Sequence, residues 1–445
     1  MSGPGTFFGL EIGRRGLQSE RRAMDVVGHN LSNANTEGYS RQEAVHVATD
    51  PYCNPILNQK LIPGQIGTGV EINYIRRFRD LYLDNQWRDV ASSEGYWEAL
   101  NESLKKIEAV FPEPDEENGL QSLIGKFFNA WEDLNNTPQD IGVKAAVREA
   151  GVELTTTFRQ TYTQLSDVWQ NVDSLINDKV ERINSITRQI TEVSTAIARV
   201  IDLGEQPNDL LDKRDLLLDE LGKLGRITVE HSSDGYVSVS LYGQELVSID
   251  NSRVEITRGD AEGWAAGNQE TGMMVGYIDA LDKIESYMAM MDELALGLTN
   301  TVNALHATTT SSGTYPDFFT ATGAADFDLS ADVKSEITNV NGDQALYIGG
   351  KRTELTMLGN TATFESYYRG LTTMIGADTQ GSADRLGTQN AVKEQVNNLR
   401  ESLVGVSTDE ELTKMIQYQY AYQSSARIVT VMDTLLDTLI NRTAV

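Results

Sequence analysis

Residues 10–40 read LEIGRRGLQSERRAMDVVGHNLSNANTEGYS. Leu10, Leu17, Met24 and Leu31 stand seven residues apart, with Val27 beside them. An apolar repeat of seven, sustained over three intervals, predicts an α-helix with a narrow apolar seam of the kind used in coiled coils. Arg14, Arg15, Arg21 and Arg22 fall off that seam and are expected on a solvated flank. The second half of the stretch then stops the helix. Asn side chains bond nearby backbone groups and Gly supplies a positive φ, so Asn30, Asn33, Asn35 and Gly38 concentrate turn chemistry. The chain is expected to turn sharply after Ala34 and to leave as an extended segment from Tyr39 to about Val47.

The other end of the chain carries the same pattern. Met415, Tyr422, Val429 and Leu436 are again seven apart, and Leu412, Ala426, Met432, Leu435, Leu439 and Ile440 broaden the seam. Ser407, followed by Asp409, Glu410 and Glu411, reads as a helix start, because a capping oxygen and first-turn acids suit the amide end of a helix. Two amphipathic helices at opposite ends of one chain are expected to pack together. The same seams can also be completed by other copies of the chain, and the pattern alone does not decide.

Between the ends the periodicity is mostly helical. It runs from Arg79 past Ile107, then over 119–135, 140–201, 207–224 and 272–308, and from Phe364 to about Val404 with a break at 376–384. Residues 226–258 alternate instead, with Ser233-Asp234-Gly235 as a hairpin turn, and predict a small β-meander. The charged side of LLDKRDLLLDELGKLG (210–225) is expected to face solvent. Residues 50–64 read as a proline-marked loop, GTGVEINYIRR (67–77) as a glycine turn into a strand, and 309–360 as irregular. The fold class is therefore mainly α. Residues 1–80 and 385–445 form a terminal coiled-coil-like core, 81–225 and 270–384 an elongated helical domain, and 226–260 a small β insertion.

Composition narrows the function. The formal charge of -28, from 37 basic and 65 acidic residues, argues against nucleic acid and against an anionic membrane surface. A single cysteine, Cys53, excludes an intrachain disulfide and a cysteine-rich zinc site. His29, His46, His231 and His306 show no metal-ligand spacing, and Gly67 and Gly69 make only a lone GxG, so no cofactor or metal is expected. There is no GxSxG elbow and no carboxylate pair in a recognisable catalytic setting. Catalysis is not expected; a secreted cell-wall hydrolase is the remote alternative. No run approaches the roughly 18 apolar residues of a membrane span, and no cleavable signal peptide is expected.

HNLSNANTEGYSRQ (29–42) resembles the signature of flagellar rod, hook and hook-associated proteins. GVSTDEELTKMIQYQYAYQSSARIVTVMDTLLDTLI (405–440) is similar to the matching motif at the other end of that family. The ending Gly38-Tyr39-Ser40-Arg41-Gln42, the block GTGVEINYIRRFRDLYLDNQWRDVASSEGY (67–96) and VNALHATTTSSGTYPDFF (302–319) resemble the hook-associated members. The resemblance implies a structural adaptor joining hook to filament, assembled as a ring of copies at the hook tip. It implies contacts with hook protein and with the next hook-associated protein. It also implies export without a cleaved signal peptide, a cytoplasmic export chaperone at the C-terminal region, and a final place outside the cell on the flagellum. Hook or distal rod protein is the alternative. The two seams would then be assembly surfaces. The turn would redirect the chain to the next layer, with Tyr39 anchoring the segment that leaves. Larger relatives carry further β-rich insertions, so the outer domain here is expected to be reduced; residues 309–360 match weakly and receive no role.

Overall fold

The computed structural model describes residues 7–50, 67–111, 119–267 and 270–442. Cys53 and the three prolines of the 50–64 loop lie outside the described residues. The chain begins with α1 (Phe8–Ser32), followed by strands β1 (Gln42–Ala48) and β2 (Val70–Arg77). Then come α2 (Leu81–Val110), α3 (Leu120–Asn136), α4 (Ile141–Asp202) and α5 (Asn208–Leu224). Strands β3 (Ile227–His231), β4 (Val237–Leu241) and β5 (Gln244–Val247) precede α6 (Arg258–Ala265) and α7 (Met273–His306). Short pieces, including α8 (Ala331–Ser335) and α9 (Ala345–Gly350), lead to α10 (Phe364–Val404) and α11 (Thr408–Asp437).

Helix α4 is the longest element, at 62 residues. Asp140 starts it by accepting from the amides of Gly142 and Val143, which would otherwise lack helical partners. Its buried stripe, Val147, Leu154, Phe158, Leu165, Val172, Ile176, Ile183, Ile190 and Ile197, advances by sevens and fours. That spacing keeps one face turned to α3, α5 and α7 along the helix. The apolar side chains form two separate clusters. The large one runs from Tyr96 to Ile375 and centres on Phe127, Trp131, Phe158 and Phe318. The small one joins Ala23, Val26 and Ala44 with Ile72, Ile75 and Tyr418, and so binds α1, the β1–β2 hairpin and α11.

Strands β3, β4 and β5 form an antiparallel meander in that order, with Val237, Val239 and Leu241 buried. Residues from Arg258, expected to close the β region, are instead helical. Thr257 and Asp260 form a capping box there, and this short-range signal outweighs the preceding alternation.

Helix α10 shows no break at 376–384. Gly376 and Gly381 lower helix propensity, but Tyr367, Tyr368, Leu371, Ile375 and Thr379 are buried on one face and packing overrides that local cost. The charged side of α5 does not face solvent either. Asp212, Arg214, Asp215 and Asp219 are all buried, for an ionic reason given below.

Candidate assembly interface

Helices α1 and α11 pair antiparallel, as expected of the two chain ends. The closest approach falls on glycines. A Cβ added to Gly9 would lie 2.7 Å from Met432 Sδ, one on Gly13 2.7 Å from Val429 Cγ2, and one on Gly16 2.6 Å from Ser425 Oγ. Gly9, Gly16, Ala23 and Asn30 form their own seven-residue repeat, each one position before Leu10, Leu17, Met24 and Leu31. One position is about 100° around a helix. The small-residue repeat therefore meets α11, while Leu10, Leu17, Met24 and Leu31 flank it and all stay half-buried. On α11, Met415, Val429 and Leu436 are half-buried and Tyr422 is exposed. Glu411 is the only α11 residue that is buried, whereas Leu412, Ile416, Val431 and Leu435 are about half exposed. A helix that leaves so much aliphatic surface open presents an interaction face.

Beyond α1, Asn33 caps the helix with its side chain: Nδ2 donates to His29 O at 3.0 Å, and Oδ1 accepts from Thr36 Oγ1 at 3.2 Å. Its φ is −104°, outside the left-handed region. Asn35 is exposed in the turn. Gly38 has φ +77°, and a Cβ there would meet Leu216 of α5 at 3.3 Å. Tyr39 is half-buried, and its hydroxyl donates to Asn30 Oδ1 at 2.7 Å. Burial, reinforced by Asp209, Asp212 and Glu411, pushes that phenol well above its ordinary range.

Asn30 is the centre of this arrangement and is fully buried. Its Nδ2 donates to Gln42 O at 2.8 Å and to Glu411 Oε2 at 2.9 Å. Its Oδ1 accepts from Gln42 N at 2.9 Å as well as from Tyr39. Both donors and both lone pairs of the amide are used. One side chain thus joins α1, the start of β1 and the first turn of α11.

The ionic cluster on α5 was not foreseen. Arg77 Nη1 lies 2.8 Å from Asp212 and 2.7 Å from Asp215. Arg79 Nε lies 2.7 Å from Asp84 and 3.4 Å from Asp215. Arg88 Nε reaches Asp219 at 2.8 Å, and Arg400 reaches Asp84 at 2.9 Å and Asp219 at 2.5 Å. Ser40 adds its amide and hydroxyl to Asp212 at 3.0 and 2.7 Å. Burial would raise the Asp215 carboxyl, but Arg79, Arg77 and Arg88 outweigh it and hold the carboxyl below its ordinary range. Arg214 is lowered as well, to about 10, here chiefly by burial itself; it donates to Gly235 O at 2.6 Å. The spacing 212, 215, 219 marks one helical face, but no spacing could reveal that its partners lie at 77, 79, 88 and 400.

Among the described residues, no group of His, Cys, Asp and Glu is set to hold a metal ion. Among the same residues, no helix is long and apolar enough to cross a membrane.

Comparison with known proteins gives matches along the chain. The family described as "Flagellar hook-associated protein FlgK helical domain" matches residues 104–319. "Flagella basal body rod protein" matches residues 10–39, and "Flagellar basal body rod FlgEFG protein C-terminal" matches residues 402–442. Flagellar hook-associated protein 1 of Bacillus subtilis is 29% identical, with 98% of each chain covered. The Escherichia coli protein of that name is 22% identical over 96% of this chain and 98% of its own. The Salmonella typhimurium protein is 26% identical over 65% of this chain and 55% of its own. The solved structure of the flagellar hook junction protein FlgK from Burkholderia pseudomallei shares the fold. Its TM-score is 0.63 at 14% identity, over 73% of this chain and all of that one.

Proposed function

Because the chain belongs to the flagellar hook-associated protein 1 family, we propose that it acts as a structural adaptor joining hook to filament on the bacterial flagellum. It is a structural component and catalyses no reaction. The observation that carries this reading is the antiparallel pairing of the two chain ends by α1 and α11, with the apolar face of α11 left open.

Copies of the chain assemble into a ring through that face. Leu10, Leu17, Met24 and Leu31 of α1 and Met415, Tyr422, Val429 and Leu436 of α11 form the assembly surface. Their partial exposure supports this, since covering a large aliphatic side chain contributes roughly 1.5–3 kcal/mol. Hook protein covers one side of the ring and the next hook-associated protein the other. Before assembly, a cytoplasmic export chaperone holds the C-terminal region, because an open apolar face is an aggregation hazard. Its final place is outside the cell, on the flagellum. The two separate apolar clusters support a division into a terminal pair and a helical body, with 226–260 as an insertion. The expected boundary at 385 falls inside α10, which runs unbroken to Val404, so the body extends to 404 and the terminal pair resumes at 405.

A second reading, hook or distal rod protein, draws on the rod-type matches at both ends. The match over 104–319 favours the junction role, because it covers the body rather than the shared ends. The test is electron microscopy of flagella from a deletion strain. Hooks without filaments, with filament subunits released to the medium and filaments restored by the intact gene, is the expected result. Full-length filaments on every hook would overturn the reading, and absent hooks would favour a rod or hook component.

A further inference from the structure

The terminal pair and the helical body are joined covalently by two three-residue connectors, 78–80 between β2 and α2 and 405–407 between α10 and α11. Through space, the main bridge is one face of α5. Asn208, Asp209, Asp212, Asp215 and Asp219 recur on that face at helical spacing. Asn208 Nδ2 donates to Ile75 O at 2.9 Å, and Asp209 Oδ1 accepts from Gln42 Nε2 at 2.8 Å. Asp212 holds Ser40 and Arg77, and Asp215 holds Arg77 and Arg79. The far end of the face turns to the body, where Asp219 meets Arg88 and Arg400. An apolar approach across the same bridge is that of Gly38 to Leu216, and Leu216 is itself exposed.

We propose that this face of α5 is a polar joint that sets the angle between the paired terminal helices and the helical body. Neutralising it frees the angle while both bodies keep their folds. One observation and three general rules carry the inference. The two apolar clusters are separate, so neither core depends on the angle. Interfaces that are small and polar allow relative motion by default, whereas large apolar ones do not. Buried ion pairs add little net stability over apolar packing, but they are directional and fix one arrangement among several. Short connectors absorb the backbone change when such a contact is released. The joint does not rest on the junction role, since it is a property of the single chain.

The test uses the full-length chain carrying Cys53→Ser, with spin labels on Arg22→Cys in α1 and Arg199→Cys near the end of α4, both exposed positions. The distance distribution between the labels is compared with and without Asp212→Asn plus Asp215→Asn. The expected result is a distribution about twofold broader or more, with amide-exchange protection of α4 and α7 unchanged. Arg77→Gln, which cuts the same contacts from the other side, must reproduce the broadening. An unchanged width overturns the proposal. So does broadening accompanied by lost protection in α4 and α7, or failure of both variants to fold, because the face would then belong to a core.

Discussion

Single residues decide how the chain ends meet. Asn30→Leu removes four hydrogen bonds and leaves the Gln42 amide, the Tyr39 hydroxyl and the Glu411 carboxylate to find other partners. Stranding buried polar groups costs roughly 1–3 kcal/mol each, so the terminal pair should loosen by about 3 kcal/mol. Amide exchange in the first turn of α11 should accelerate, while protection in α4 stays constant. Asn30 was named among the turn residues from sequence, but its reach to Glu411 was not, because nothing local ties positions 381 residues apart. His306 makes a separate case. Burial lowers its pKa from 6.5 to about 4. Pro316 O accepts from its Nδ1 at 2.7 Å, and its Nε2 accepts from Asn341 N at 3.0 Å, so the neutral ring is the form that fits. The unfolded chain then binds more protons between those two pH values. Stability present above pH 6.5 is lost as pH falls toward 4, by on the order of 3 kcal/mol from this group. Thermal melts of the native chain and of His306→Asn at pH 7.5 and 4.5 check this, with the shallower pH dependence expected in the variant.

At the scale of elements, periodicity was most legible where burial is one-sided and least legible where partners are remote. The seven-residue repeats at both ends predicted a helix pair, and α1 and α11 form one. The leucines drew the eye to one face, yet the small residues one position earlier make the closest contact, since two backbones approach only where no side chain intervenes. Helix α10 teaches the converse. Its glycines suggested a break, but a glycine weakens a helix without ending it when neighbouring turns are held by packing. A Cβ at Gly376 or at Gly381 would meet no atom within 4 Å. Gly376→Ala and Gly381→Ala should therefore each stabilise the body by about 0.5–1 kcal/mol, measured as a raised urea midpoint at unchanged slope. The α5 face was misread because a stripe of charge looks the same whether water or arginine covers it.

Across the whole molecule, separate cores predict separable folding. A chain of residues 78–404 keeps the large cluster and loses the small one. It should retain a cooperative thermal transition and the helical signal of α2 to α10, but no longer assemble; a non-cooperative melt would contradict the division. The mainly helical class, the meander and the paired ends were all readable beforehand. The ionic joint was not, since it depends on which side chains meet in space; the helix after the meander carries a local signal, Thr257 with Asp260 three residues on, that the preceding alternation masked.

One dimension of the molecule follows from α4 alone. At 1.5 Å per residue, its 62 residues reach about 93 Å. A seven-residue duplication inside it would turn the stripe by only about 20° and lengthen the strut by about 10 Å. A deletion of three residues would instead rotate every later position by about 60° and tear the stripe from its neighbours. Descendants of this chain can therefore change reach in whole heptads, as a telescoping pole extends by fixed sections, but not by arbitrary amounts.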